Sequence, residues 1–268
     1  MLHEGVVVVT GGGSGIGRSL CLAFAKEPQC THVVAADLDV AGAEATAAMV
    51  GAAGSAYRLD AGDDAAIKAL VERVEAEHGP IAVFVANAGI GIGDESDAGW
   101  EKTWRVNTMQ HVYVSRHVVP RMVARGGGSL VVTASAAGLL TQIGSMSYAM
   151  SKAAAVSAAE FLAITHGEQG IHVSCLCPQA VNTPMIAGQK EEELVAAVDA
   201  VLEPEDVADE VVATVKAGTE FLILPHKVVG KYIARKTADY TRWIGGMQRL
   251  QSRYSKAMEA ARGRVAKL

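Results

Sequence analysis

The sequence predicts a doubly wound, seven-stranded parallel α/β sheet with helices on both faces and an extra helical tail at the C-terminal end. Three observations carry this. Seven short runs rich in β-branched residues alternate with segments of helix length, which is the rhythm of a parallel sheet. The runs are almost continuously apolar instead of alternating, as in strands buried on both faces. No Pro/Ser linker, internal repeat or low-complexity tract divides the 268 residues, so one domain over 1–225, extended by a basic segment over 226–268, is the economical organisation.

Taken in order, "GVVVVT" from Gly5 is the first strand and residues 15–27 the first helix. "THVVAAD", "SAYRLD", "IAVFVANAG", "GSLVVTAS", "IHVSCLCP" and "EFLILP" supply the remaining strands. Helices are predicted over 40–51, 63–78, 99–124, 147–169 and 204–217. Two segments break the rhythm. Residues 184–203, "PMIAGQKEEELVAAVDAVLE", are long enough for a mobile lid. In the tail, Tyr240, Trp243, Ile244, Met247, Leu250 and Tyr254 recur at helical spacing.

Composition bounds the function. Half the residues are hydrophobic but only 5% are aromatic, and 28 are glycine, so the core is built from small and β-branched side chains in close packing. No stretch reaches the length of a membrane span, and the first strand begins too early for a signal peptide; a cytoplasmic protein is expected. Cys21, Cys30, Cys175 and Cys177 form no C-x-x-C pair and read as reduced thiols. The eight histidines show no H-x-x-x-H or H-E-x-x-H spacing, so no metal site is expected. Net charge is −5, yet residues 226–268 hold 11 Lys/Arg against 2 Asp/Glu, leaving the rest strongly acidic.

"TGGGSGIG", Thr10 to Gly17, follows the first strand and opens the first helix. In that context Gly11, Ser14, Gly15, Ile16 and Gly17 form a phosphate cradle, where glycines let the backbone approach a pyrophosphate and unpaired N–H groups meet its charge. Asp37 ends the second strand 20 residues after Gly17. An acid there accepts hydrogen bonds from ribose hydroxyls and repels a 2′-phosphate, which favours NAD over NADP.

"SMSYAMSKAAA" places Tyr148 and Lys152 one helical turn apart. The pattern is weak alone, since Tyr232 and Lys236 repeat it. The surroundings separate the two copies. With the Gly-rich turn at Thr10 to Gly17, the run Asn87, Ala88, Gly89 after the fourth strand, Asp60 with Ala61 after the third, and Ser135 in "VVTASAAG" 13 residues before Tyr148, residues 5–225 resemble the short-chain dehydrogenase/reductase family. Thr219 stands at the matching offset before Tyr232 but precedes a strand, so Tyr232 reads as structural.

The resemblance implies a Rossmann fold and a catalytic set of Asn107, Ser135, Tyr148 and Lys152. It places Asp60 against adenine, Lys152 on the nicotinamide ribose, and Pro178, Val181 and Thr183 beside the nicotinamide, with Thr183 at its carboxamide. Asn107 is implied to steady a water linking Lys152 to solvent. The roles have a physical rationale. A phenol titrates near 10, so a base working at neutral pH needs roughly 4 kcal/mol of help, and the Lys152 cation is the candidate source. Ser135 would hydrogen-bond the substrate oxygen. Gln179 stands where the family writes glycine, either adding an amide to the substrate pocket or narrowing the backbone's freedom.

"GWEKTWRVN" and "AAGLLTQIGSMSYAMSK" distantly resemble alcohol-oxidising members, 15-hydroxyprostaglandin dehydrogenase among them, which suggests a hydrophobic secondary alcohol or ketone as substrate. Leu139, Leu140, Ile143, Met185 and Ile186 are its expected apolar walls. The alternatives are an NADPH-dependent carbonyl reductase, which Asp37 opposes, and a non-catalytic NAD-binding sensor. A homodimer or homotetramer is expected by the same resemblance, with Ala153, Ala154, Ala155, Ala158 and Ala159 small enough for helix pairing or for packing on the sheet. No nucleic-acid partner is expected. For the basic tail three readings stand: docking on a neighbouring subunit, contact with a membrane surface or acidic ligand, or a helix folded over its own domain.

Overall fold

The computed structural model describes residues 3–91, 95–187 and 200–265. Among these, seven parallel strands form one sheet in the order β3-β2-β1-β4-β5-β6-β7. β1 (Gly5–Thr10), β4 (Ile81–Ala86) and β5 (Gly128–Thr133) are buried along their whole length, which explains why their sequences carry no polar alternation. The chain starts in the middle at β1, winds outward through β2 (Cys30–Asp37) to β3 (Gly54–Arg58), then returns to β4 and winds the other way through β6 (Ile171–Leu176). The reversal between β1 and β4 opens a crevice at the carboxyl ends of the strands, the usual ligand position in such sheets.

Successive residues of β1 feed opposite faces. Val6 and Val8 pack with Ile67, Leu70, Val114, Ala155 and Leu162, from α3 (Asp64–His78), α5 (Gln110–His117) and α8 (Met146–His166). Val7 and Val9 pack with Leu20, Phe24, Val207 and Val211, from α1 (Gly15–Phe24) and α9 (Pro204–Ala217). α2 (Val40–Val50) buries Ala43 and Thr46 on that second side. The expected seven-stranded doubly wound architecture is therefore observed.

Some boundaries differ for identifiable reasons. The single helix expected over 99–124 is divided into α4 (Asp97–Trp104), a π-turn at Arg105–Met109, α5 and α6 (Val119–Ala124). Pro120 cannot donate to a helical ladder, which accounts for the break before α6. The helix expected over 147–169 ends at His166, followed by a 3₁₀ turn over Gly167–Gln169. "EFLILP" yields only Leu222–Ile223 as β7. Of the segment 184–203, residues 188–199 lie outside the described residues; its far end returns to the body, where Leu202 donates to the Ala180 carbonyl and accepts from Asn182.

The tail forms two helices, α10 (Val228–Ala238) and α11 (Tyr240–Val265). Asp239 joins them in an extended conformation and accepts the Arg242 backbone N–H at 2.9 Å. Val229 is fully buried against Ala136 and Leu140 of α7 (Ala136–Leu140), with Tyr232, Ile233 and Trp243 packed around them. The tail is folded over its own domain. On α8, Ala155 and Ala159 face the sheet and Ala153 faces solvent, so the alanine run serves packing on the sheet at those two positions.

α7 crosses α8 with no room to spare. A Cβ on Gly138 would stand 2.4 Å from the Lys152 carbonyl oxygen. Backbone on backbone cannot yield there, so Gly138→Ala is expected to destabilise the protein by about 1–3 kcal/mol. Urea denaturation checks this; a stability unchanged from the parent would show that α7 shifts freely over α8.

Candidate active site

The sharp turn after β1 is dictated by its glycines. Gly11 has φ +67 and Gly15 φ +48, both in the left-handed region. A Cβ on Gly17 would fall 2.0 Å from the Gly11 carbonyl oxygen, so α1 starts directly beneath the turn. Ser14 caps α1 with no side-chain hydrogen bond, and no acid stands in the first turn. The N-terminal N–H groups of Gly15, Ile16 and Gly17 are thus left without a side-chain acceptor at the positive end of the helix dipole. This donor set, in a cradle with no space for side chains, fits a pyrophosphate.

Thr10 ties the cradle to β4. Its hydroxyl accepts the backbone N–H groups of Asn87 and Ala88, each at 2.9 Å, and Asn87 Nδ2 donates to its carbonyl at 3.0 Å. Asn87 and Ala88 are thereby packed directly against the turn, where a Cβ on Gly11 would stand 3.0 Å from Ala88 Cα. At the end of β2, Asp37 Oδ2 accepts from Gly13 N at 2.8 Å and Oδ1 from Asp39 N at 2.9 Å. Asp60 is held by Gly62 N at 2.9 Å and lies 3.4 Å from the Arg105 guanidinium. A cavity of about 1350 Å³ runs along the strand ends, lined by every cofactor-site residue expected from the sequence. This exceeds the roughly 300–1000 Å³ of a site for one drug-sized ligand. It suits a dinucleotide with a second molecule beside it.

Ser135 and Tyr148 reach the same cavity from α7 and α8. Ser135 caps α7, accepting from Ala137 N at 3.1 Å and donating to the Pro178 carbonyl at 3.3 Å, and its hydroxyl is near enough to the Tyr148 phenol to favour the ionised form. Tyr148 sits in the first turn of α8, where Ser145 Oγ accepts its N–H at 3.2 Å. Glu95 in turn accepts from the hydroxyls of Ser145 and Ser147. One turn further, Lys152 is 4% exposed and donates from Nζ to the Thr133 carbonyl at 2.9 Å.

The electrostatics differ in one respect from the expectation. Burial pushes the Tyr148 phenol above its ordinary value of 10, and the neighbouring Ser135 hydroxyl only partly opposes this. Lys152 Nζ stands 5.9 Å from the Tyr148 ring centroid and is not among the groups that bring the phenol down. Burial lowers Lys152 from 10.5 to about 8. Behind it, burial and then the Lys152 charge push His111 down to about 3, so His111 is a neutral neighbour.

Asn107 sits in the π-turn, fully buried. Its Oδ1 accepts from Ile90 N at 2.9 Å, and its Nδ2 donates to the Ile90 carbonyl at 3.0 Å and to Ser151 Oγ at 3.2 Å. The amide clamps the segment after Gly89 onto α8, next to Lys152. Thr183 lies over the cradle: a Cβ on Gly15 would meet its Cγ2 at 2.9 Å. Met185 rests against Gly91 and lines the cavity with Leu140 and Ile186. Leu139 and Ile143 do not: Ile143 is buried and Leu139 packs toward α10.

Gln179 lines the cavity, but its place is set by a residue that sequence reasoning missed. Its backbone N–H donates to Nδ1 of buried His226 at 3.1 Å, and His226 Nε2 meets the Ala200 carbonyl at 3.1 Å. The Gln179 Oε1 atom is buried and, among the described residues, has no hydrogen-bond partner. Also missed was the cavity wall formed by the tail, where Tyr232, Trp243, Met247, Leu250 and Tyr254 face the same space as Tyr148. The helical spacing of the apolar residues was visible; the surface they would cover was not. Tyr232, read as structural, is both packed beside Trp243 at 6.3 Å and part of this wall.

The buried ammonium gives a testable linkage. Lys152 binds its proton less well folded, at about 8, than at its ordinary 10.5. The charged form is therefore a full liability below pH 8, which fades as pH rises toward 10.5. Lys152→Met is expected to be more stable than the parent at pH 7, by on the order of 3 kcal/mol less the lost hydrogen bond, with the gap narrowing across that window. Thermal melts at several pH values check it; a gap that stays constant with pH would contradict the burial of a charged lysine.

Comparison with known proteins agrees with this site. The model of the short chain dehydrogenase family matches residues 5–194. The chain is 36% identical over 190 residues to the probable oxidoreductase EphD of Mycobacterium tuberculosis, covering 68% of this chain and 32% of that protein, so it spans about a third of that relative's length. It is 30% identical over 233 residues to estradiol 17-beta-dehydrogenase 11 of Mus musculus, covering 83% of this chain and 76% of the relative. A short chain dehydrogenase/reductase from Burkholderia phymatum, solved in complex with NAD, superposes with a TM-score of 0.79 at 27% identity, over 90% of this chain and 95% of that one. With the glycine cradle, the Asn87 turn and the Ser135–Tyr148–Lys152 cluster in one cavity, the chain belongs to the short-chain dehydrogenase family of oxidoreductases.

Proposed function

We propose that the chain is an NAD-dependent dehydrogenase acting on a hydrophobic secondary alcohol or the corresponding ketone, with Tyr148 as the proton-transferring group. The observation that carries this is the convergence of Ser135, Tyr148 and Lys152 on the one cavity that also holds the phosphate cradle. NAD supplies the hydride acceptor when bound at the cradle. Gly11, Gly15 and Gly17 would hold its pyrophosphate, Asp37 the adenosine ribose, and Thr183 its nicotinamide end.

The chain's own residues handle the proton. Ser135 orients the substrate oxygen toward the Tyr148 hydroxyl, and Tyr148 exchanges the proton with that oxygen. With its phenol raised by burial, Tyr148 is protonated at neutral pH and suited to donate in ketone reduction. Taking a proton from an alcohol requires that shift to be overcome, and Lys152 Nζ, 5.9 Å from the Tyr148 ring centroid, is the neighbouring cation. Asn107 positions Lys152's surroundings through Ser151 and Ile90 and need not touch the substrate.

Cofactor choice rests on Asp37. Its carboxylate faces the cavity and repels a 2′-phosphate. Arg18, which could have answered such a phosphate, donates to the Gly13 carbonyl and, at 3.0 Å, to Thr46 Oγ1. Apolar walls from Leu140, Met185, Ile186 and Trp243 favour a hydrophobic substrate, and the similarity to estradiol 17-beta-dehydrogenase 11 supports a dehydrogenase. Among the described residues no helix is long and apolar enough to cross a membrane, and a cytoplasmic setting is part of the proposal. So is a homodimer or homotetramer, for which the outer face of α8 offers exposed Phe161 and Ile164.

Tyr148→Phe is expected to lower turnover at least about a hundredfold while sparing NAD binding; activity within a few fold of the parent would reject Tyr148 as the acid/base. Asp37→Ala is expected to weaken NAD binding and improve tolerance of NADP. An unmoved ratio of the two dissociation constants would make Asp37 structural only.

A further inference from the structure

The proposed reaction accounts for the floor of the cavity but not for the charge on its wall. Arg235 of α10 and Arg242 and Arg249 of α11 line the same cavity as Tyr148. None of the three makes an ion pair with an acid among the described residues. Asp239 also lines the wall, and its Oδ1 accepts the Arg242 backbone N–H. The other lining acids, Asp37 and Asp60, end β2 and follow β3, at the opposite edge of the sheet from β7 and the tail.

The arrangement on α11 is regular. Trp243, Met247, Leu250 and Tyr254 make one stripe at helical spacing, and Tyr254 reaches the loop before α8, where a Cβ on Gly144 would stand 3.5 Å from its ring. Arg242, Gly246 and Arg249 make the adjacent row, each one residue ahead of a member of the stripe. Gly245 and Gly246 lie mid-helix, where each costs about 1 kcal/mol relative to alanine. Among the described residues, a Cβ on either would meet only the Arg249 guanidinium within 4 Å, at 3.6 and 3.9 Å. The pair leaves room for that guanidinium to lie along the helix at the cavity wall.

A guanidinium offers paired N–H donors to a carboxylate or phosphate. An apolar stripe flanked by such donors, above a hydroxyl-handling site, fits a ligand with both characters. We propose that the substrate is an amphipathic anion: a secondary alcohol or ketone on an apolar chain, whose acidic head is held by Arg242 and Arg249 of the chain's own tail. This rests on the dehydrogenase reading for the reaction, but the recognition of the anion can be tested separately.

The probes are ricinoleate, methyl ricinoleate and ricinoleoyl coenzyme A, which share one secondary alcohol and differ in head group. Each is followed by NAD reduction and by tryptophan fluorescence in the presence of NAD. The expected result is a kcat/KM or affinity at least tenfold greater for the acid or the thioester than for the methyl ester, weakening as salt is raised. Preference for the acid assigns the head to a carboxylate, and preference for the thioester assigns it to phosphates. In the double variant Arg242→Gln/Arg249→Gln the preference should collapse at least tenfold, and Arg242→Lys/Arg249→Lys should keep part of it. A methyl ester used or bound as well as both anions, or a double variant of parental melting temperature that keeps the preference, would overturn the proposal. Charge-selective binding without turnover of any probe would leave the anion site standing and remove support from the dehydrogenase reading alone.

Discussion

Burying the Lys152 ammonium is the constraint on which the catalytic end of the molecule depends. A charged group taken out of water must find a fixed partner, and Lys152 Nζ finds the Thr133 carbonyl at the end of β5. That contact exists only if α8 lies close across the strand ends. Ser145 fixes where α8 begins, Glu95 holds Ser145 and Ser147, and the bare backbone of Gly138 lets α7 touch the Lys152 carbonyl. The same placement sets Tyr148 one turn earlier, beside Ser135. Geometry that shelters the lysine is thus the geometry that presents the tyrosine.

The cofactor end obeys a different constraint, the lack of space. Gly11, Gly15 and Gly17 are demanded by close backbone approaches and positive φ, and Thr10 stitches the turn to Asn87 and Ala88. The tail then closes the remaining side. α10 is anchored by Val229 in the pocket of α7, and Lys236 Nζ donates to the Leu139 carbonyl at 2.6 Å. α11 passes over the opening with its apolar stripe inward.

Much of this was legible in the sequence because it rests on local patterns. Continuous β-branched runs gave the buried strands, the glycines of Thr10 to Gly17 marked the turn, and the order of Asn87, Asn107, Ser135, Tyr148 and Lys152 marked the site. What escaped depends on tertiary placement. The π-turn around Asn107 has no distinct local pattern, and only Pro120 hinted that 99–124 would break. Lys152 looked like a cation able to lower the Tyr148 phenol, yet burial raises that phenol and lowers the lysine to about 8, and burial cannot be read from spacing. His226 reaches Gln179 across 47 residues. The stripe on α11 was visible, but an amphipathic helix carries no label for the surface it covers, which left three readings of the tail open.

Calorimetric titration of the unmodified protein with NAD and with NADP tests the proposal that Asp37 and the glycine cradle select NAD. The expected result is saturable binding of NAD at one site per chain, at least about tenfold tighter than NADP, since a 2′-phosphate facing the Asp37 carboxylate is repelled. Tighter binding of NADP, or no binding of either, would contradict it.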